Sequence, residues 1–111
     1  MNKSRRGFIK SQLRAYINNQ KLLENPLRLL NTKRACQNAL IVRCISDVLS
    51  SVPGEMQQYA RLRYFEPEPD TLANIATNLN VSERTLNRWD SIIVKQIAEH
   101  IRKFNWKWPF A

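Results

Sequence analysis

The chain contains very little glycine, histidine and cysteine. Its 111 residues include two glycines, two cysteines and one histidine. Hairpin turns and phosphate-cradling loops depend on glycine, so this scarcity argues against a sheet-rich fold and against a P-loop. One histidine without a Cys-x-x-Cys pair does not satisfy the usual zinc-site spacings. These absences favour an all-α protein that holds no metal and no cofactor.

The residue sets that form catalytic sites are also missing. The sequence suggests no carboxylate pair, no Cys-His pair and no Ser-His-Asp set that could be argued to act together. His100 lies beside Glu99 with no candidate nucleophile near it in the sequence. We therefore expect a protein that is not an enzyme.

Long apolar runs are absent as well. No stretch approaches the roughly 18 apolar residues of a membrane-spanning helix, and the N-terminus lacks the apolar run of a signal peptide. Cys36 and Cys44 are eight positions apart in one helical pattern, too far to pair within that helix. We expect a cytoplasmic protein with reduced cysteines and no membrane contact.

Acidic residues are scarce in the N-terminal half, and the net charge of the chain is +9. Residues 1–50 contain ten basic and two acidic side chains, whereas residues 51–111 contain eight basic and seven acidic ones. A folded chain with this bias attracts a polyanion through long-range fields and counterion release. Charge alone also allows a solvated or a membrane-facing basic surface, but it favours nucleic acid as the partner.

Apolar residues recur at helical spacing, and prolines divide the chain into about five helices. We predict a small all-α bundle with a basic N-terminal helical region at 1–52 and a helix-turn-helix domain with an aromatic tail at 53–111. The predicted helices cover residues 4–23, 26–51, about 53–65, 70–78 and 82 onward. The predicted inward residues are Ile9, Leu13, Tyr16, Ile17, Ile41, Ile45, Val48, Leu49, Val52, Met56, Tyr59, Ala60, Tyr64, Leu86, Trp89, Ile93, Ile97, Ile101 and Phe104.

Residues 70–89 have the order of features that a helix-turn-helix requires. Asp70 is predicted to cap the first helix, and Ser82 the second. Asn80 lies at the turn, where asparagine tolerates a left-handed backbone better than any residue except glycine. Ala76 is the small residue where the helices touch. The predicted hydrophobic contact between the two helices consists of Ile75, Leu79, Val81, Leu86 and Trp89.

The outward face of the second helix is polar and suits the major groove of DNA. Arginine can bond guanine, and asparagine adenine, through two parallel hydrogen bonds, so Arg84, Asn87 and Arg88 are predicted to contact base edges. Two ordinary bundle helices with a solvated polar face are the alternative interpretation. The complete predicted DNA-binding set is Ser82, Glu83, Arg84, Thr85, Asn87, Arg88, Ser91 and Lys95, with Ser82, Thr85 and Lys95 assigned to phosphates.

Both ends of the chain have features with two interpretations. The basic N-terminal arm is predicted to contact the DNA backbone through Arg5, Arg6, Lys10 and Arg14, although a solvated face would have the same composition. The aromatic tail at 104–110 either folds back onto the first two helices or anchors a partner.

A family resemblance rests on residues 62–65 (LRYF) and 71–89 (TLANIATNLNVSERTLNRW). These segments resemble region 4 of bacterial sigma-70 factors. Through VSERTLNRW and the helix after it, the chain is still more similar to phage late-gene transcriptional regulators of the ArpU/RinA type. The match covers about residues 55–104. The resemblance implies regulation of late phage genes in the host cytoplasm by binding promoter DNA, with host RNA polymerase as a partner.

Two other functions stay open at the level of sequence. The small, DNA-recognising subunit of a phage packaging terminase also uses a helix-turn-helix but acts as a ring, so the mass in solution would separate it from a monomeric or dimeric regulator. A basic amphipathic protein at a membrane or on an acidic protein is the third interpretation. Activation or repression is not determined by the sequence, and a palindromic operator would imply a homodimer.

Overall fold

A computed structural model describes residues 3–23 and 33–104 of the chain, and the side chains of residues 3–21 and 39–104. Within these ranges there are five α-helices and no β-strand, which confirms the predicted all-α bundle. Within the described ranges, no helix combines the length and the hydrophobicity that spanning a bilayer requires. The helices are α1 (Lys3–Leu23), α2 (Lys33–Ser51), α3 (Gly54–Ala60), α4 (Leu72–Leu79) and α5 (Glu83–Arg102). The predicted start of the second helix at Pro26 and the tail at 105–110 lie outside the described residues.

One hydrophobic core unites α1, α2, α3, α4 and α5, with residues from both sides of the predicted boundary at residue 52. The predicted inward positions of α1, α2 and α3 are buried, except that Ile17 and Leu49 are only partly buried. Two inward assignments on the last helix need correction. Trp89 is partly buried at the edge of the core, and Phe104 is 47% exposed because it follows the end of α5.

The helix that begins with α3 changes its geometry at residue 61. Residues Arg61–Phe65 form a π-helical segment, and its last hydrogen bond joins the Glu66 amide to the Arg61 carbonyl at 3.2 Å. The predicted end near Phe65 is confirmed, but the wider turn was not anticipated. A π turn aligns residues five apart. Tyr59 and Tyr64 therefore lie on the same side of the helix, and both are buried.

The buried carboxylate of Asp90 joins three parts of the fold. Asp90 is 6% exposed, and no other charged residue among those whose side chains are described is buried. Its Oδ1 accepts a hydrogen bond from the Tyr59 hydroxyl at 2.8 Å and another from the Tyr64 hydroxyl. Its Oδ2 lies 3.2 Å from the Lys10 ammonium nitrogen. One side chain therefore connects α1, α5 and the helix formed by α3 and its π-helical segment, residues 54–65, which we call the α3–π helix.

The same burial acts on the two tyrosine hydroxyls. Desolvation raises the pKa of both Tyr59 and Tyr64 well above the ordinary tyrosine value, and the adjacent Asp90 carboxylate acts in the same direction. Both hydroxyls are therefore protonated donors throughout the neutral range. Both oxygens of the Asp90 carboxylate therefore have donors, as a carboxylate requires when it is out of water.

Replacing Asp90 with asparagine is expected to lower the free energy of unfolding by about 1–3 kcal/mol, because hydrogen bonds to a charged group are lost. Urea denaturation at neutral pH measures this change. Asp47→Asn is the matched control, since the Asp47 carboxylate is exposed and lies 4.0 Å from Arg43, an arrangement that contributes little. Equal stability of the two variants would contradict the structural role of Asp90.

Alkaline titration tests the two tyrosines. Their folded pKa values are above the unfolded value of about 10, so the stability they contribute is fully present below that pH and is lost as the pH rises through the folded values. We expect tyrosinate absorbance from Tyr59 and Tyr64 to appear together with loss of the helical circular dichroism signal. Tyr59→Phe and Tyr64→Phe identify each component. Ionisation of both residues in the still-helical protein would contradict this expectation.

Candidate nucleic-acid interface

The N-cap of the first helix of the predicted motif lies one residue later than predicted. Thr71 caps α4, because its Oγ1 accepts a hydrogen bond from the Asn74 amide at 3.2 Å. The Asp70 carboxylate instead accepts from the Thr71 amide and from the Asn74 side chain, each at 3.0 Å. The assignment of Asp70 as the cap is therefore wrong. Asp70 supports the residue that performs this role.

The turn between α4 and α5 forms as predicted at Asn80. Asn80 has a φ of 56°, and no other described non-glycine residue has a positive φ. The Val81 amide donates to the Ala76 carbonyl at 3.0 Å, and the Asn80 amide to the Thr77 carbonyl at 3.3 Å. This pair of bonds is a Schellman motif, which satisfies the last carbonyls of a helix and turns the chain sharply.

The start of α5 also agrees with the prediction. The Ser82 hydroxyl oxygen accepts a hydrogen bond from the Thr85 amide at 3.1 Å, so Ser82 is the N-cap. The Ser82 and Thr85 hydroxyl oxygens are 3.0 Å apart and share a further hydrogen bond. Ser82 is exposed, whereas Thr85 is half-buried. The first turn of α5 is therefore held in place by its own side chains.

The contact between α4 and α5 is mostly the predicted one. Ile75 and Leu86 are fully buried, and Ala76 is buried where the helices meet. Leu79, Val81 and Trp89 are partly buried against this cluster. Trp89 lies edge-on to Tyr59, with ring centroids 6.5 Å apart. α5 is thus packed firmly on one side, and the side chains on its opposite side are exposed.

The exposed side of α5 carries what we call the recognition ridge, defined as Arg84, Asn87, Arg88, Ser91 and Lys95. All five side chains are exposed. Their spacing of three and four residues places them along one face of the helix. From the first to the last of them the ridge extends roughly 17 Å along the helix axis, at about 1.5 Å per residue.

Glu83 differs from its neighbours in charge. It is exposed in the first turn of α5, where a carboxylate interacts favourably with the helix dipole. Beside a DNA phosphate the same carboxylate would be repulsive. Its position therefore stabilises the helix and disfavours contact between phosphate and this particular side chain.

The N-terminal basic residues have different surroundings, although all four are on α1. The Arg6 guanidinium donates a hydrogen bond to the Ser91 hydroxyl at 2.7 Å, which brings it to the recognition ridge. Lys10 is paired with Asp90. The guanidinium carbon of Arg14 lies 6.0 Å from the centre of the Tyr64 ring, a cation–π distance. Arg5 is exposed.

Two features of α5 were missed in the sequence. Asp90 lies four residues after Leu86 and three before Ile93, so the helical period itself places it on the inward face. A charged residue at an inward position of the helical period was the sequence signal that could have identified Asp90. Ile92 lies between Arg88 and Lys95 and is 36% exposed, an apolar side chain next to the ridge. Such a side chain can contact a thymine methyl group.

Comparison with known proteins adds no relative. The chain matches no protein-family model, no curated protein and no solved structure at a significant level.

The left-handed backbone at position 80 gives a direct test of the turn. Asn80→Ala is expected to cost about 1–2 kcal/mol of unfolding free energy, because a Cβ without a local polar side chain is disfavoured there. Asn80→Gly is expected to change stability by much less, since glycine adopts this conformation freely. Thermal or urea denaturation distinguishes the two. Asn78→Ala, at an exposed helical position, is the control. Equal losses for the alanine and glycine variants would contradict the assigned turn.

Proposed function

We propose that this protein binds double-stranded DNA sequence-specifically and regulates transcription, with α5 as its recognition helix. The observation that supports this most directly is the position of the recognition ridge. It lies on a helix whose start is capped by Ser82 and whose opposite face is buried at Leu86 and Ile93. A rigid helix with an exposed polar face next to a tight turn is the arrangement with which helix-turn-helix proteins enter the major groove.

The chemistry of the ridge fits base edges. Arg84 and Arg88 are one turn apart, and each guanidinium can donate two hydrogen bonds to guanine O6 and N7. Asn87, between them, can pair with adenine N6 and N7. All three belong to the first two turns of α5, the part of a recognition helix that reaches the bases. We assign base contacts to these residues.

The charge of the chain supports a polyanionic partner. The net charge is +9, and Lys95 extends the ridge beyond the base-reading turns. Contacts from such residues to phosphates fix the register of the protein on the duplex without reading sequence. We therefore assign phosphate contacts to Lys95 and to the exposed start of α5 at Ser82.

The regulatory role is inferred from the resemblance of residues 55–104 to sigma region 4 and to phage late-gene regulators. On this basis we propose that the protein acts on phage late promoters in the host cytoplasm, with host RNA polymerase as a partner. A palindromic binding site in the selection described next would indicate a homodimer, because the half-sites then repeat the symmetry of the protein.

Selection of bound fragments from random duplex DNA by the full-length protein tests the proposal. We expect one enriched sequence rather than uniform recovery. Arg84→Ala and Arg88→Ala are each expected to weaken binding to that sequence by about 1–3 kcal/mol and to relax base preference at one position. Affinities on the selected and on a scrambled duplex, at one salt concentration, measure the effect.

Arg43→Ala is the matched control, since it removes the same charge from an exposed position on α2. It is expected to change affinity only slightly and to leave base preference intact. Failure to enrich any sequence would overturn the proposal of specific DNA binding. Enrichment with Arg84 and Arg88 variants that behave like Arg43→Ala would overturn the assignment of the reading residues.

A further inference from the structure

The contact between Arg6 and Ser91 connects the N-terminal arm to the middle of the recognition ridge. Ser91 follows Arg88 by three residues and precedes Lys95 by four, so it lies on the exposed face of α5. Its hydroxyl oxygen accepts a hydrogen bond from Arg6 Nη2 at 2.7 Å. A side chain of α1 therefore occupies the place on the ridge where the sequence alone predicts a serine that contacts DNA.

The Arg6 side chain lies beside a second contact between α1 and α5, one turn away. Lys10, four residues later on α1, pairs with the buried Asp90 at 3.2 Å, and Asp90 immediately precedes Ser91. Residues four apart lie on the same face of a helix. The Lys10–Asp90 pair, together with the hydrophobic core, thus holds α1 against α5 in a position from which Arg6 reaches Ser91. Arg6 is half-buried, which is consistent with a side chain that is held in place.

We propose that Ser91 is a positioning residue that holds Arg6, and that Arg6 contacts a phosphate of the DNA backbone beside the groove that α5 enters. The inference rests on the proposed function and adds a division of roles within it. A guanidinium has five N–H donors, so the bond to Ser91 leaves others for a phosphate. Holding the long side chain in advance lowers the entropy lost on binding.

This arrangement predicts which variants change sequence preference and which do not. A phosphate contact is independent of base identity and contributes to the dependence of affinity on salt. Arg6→Ala is expected to weaken binding about fivefold or more on every duplex and to reduce the slope of log affinity against log salt by about 1. Arg6→Lys keeps the charge and is expected to restore the slope.

Ser91 is tested by its coupling to Arg6. Ser91→Ala is expected to weaken binding roughly two- to fivefold, with the selected sequence unchanged, because it loosens a positioned phosphate contact. In the Arg6→Ala background the same change is expected to have no further effect. Lys21→Ala, which removes a charge from the exposed far end of α1, is the control and is expected to leave the slope nearly unchanged.

Four outcomes would overturn the inference. A change of base preference in Ser91→Ala would mean that Ser91 reads DNA directly. Additive losses in the double variant would contradict the coupling between Ser91 and Arg6, and an unchanged salt slope in Arg6→Ala would contradict the phosphate contact. Neither result would contradict specific binding through Arg84 and Arg88. Absence of DNA binding by the unaltered protein would overturn this inference together with the proposed function.

Discussion

The carboxylate of Asp90 is the constraint on which the rest of the arrangement depends. Removing a charge from water is costly unless good donors replace the solvent, and here the donors come from two other elements, α1 and the α3–π helix. Satisfying this one group therefore restricts how α1 and the α3–π helix can meet α5 within the shared hydrophobic core. The exposed face of α5, and the basic side chains of α1 beside it, are consequences of that packing.

Much of the helix-turn-helix could be predicted because its signals are local. The cap at Ser82 and the left-handed residue Asn80 depend on hydrogen bonds within a few positions of the chain. The wrong assignment of Asp70 as the N-cap of α4 also comes from using local signals alone. Asp70 and Thr71 are both good caps, and only the geometry of the preceding loop, with Arg63 bound to the Asp70 carbonyl, selects the second.

The features that could not be predicted depend on contacts between distant parts of the chain. Lys10 and Asp90 are eighty positions apart, and no local pattern indicates that they form a pair. In the sequence Lys10 is one more basic residue of the arm, and Trp89 is a more obvious inward residue than Asp90. The helical period could have placed Asp90 inward, but only the fold shows which donors make that position tolerable.

The π-helical segment also limits how the chain can vary in length. Tyr59 and Tyr64 reach the same carboxylate oxygen because one residue more than an α-helix requires is present in the turn between them. Deleting a single residue there would restore ordinary helical winding with the two tyrosines four residues apart, which keeps both hydroxyls on the same face of the helix. Ordinary winding at the present length would instead place the two tyrosines about 140° apart around the helix axis, so the extra residue and the wide turn must be present or absent together.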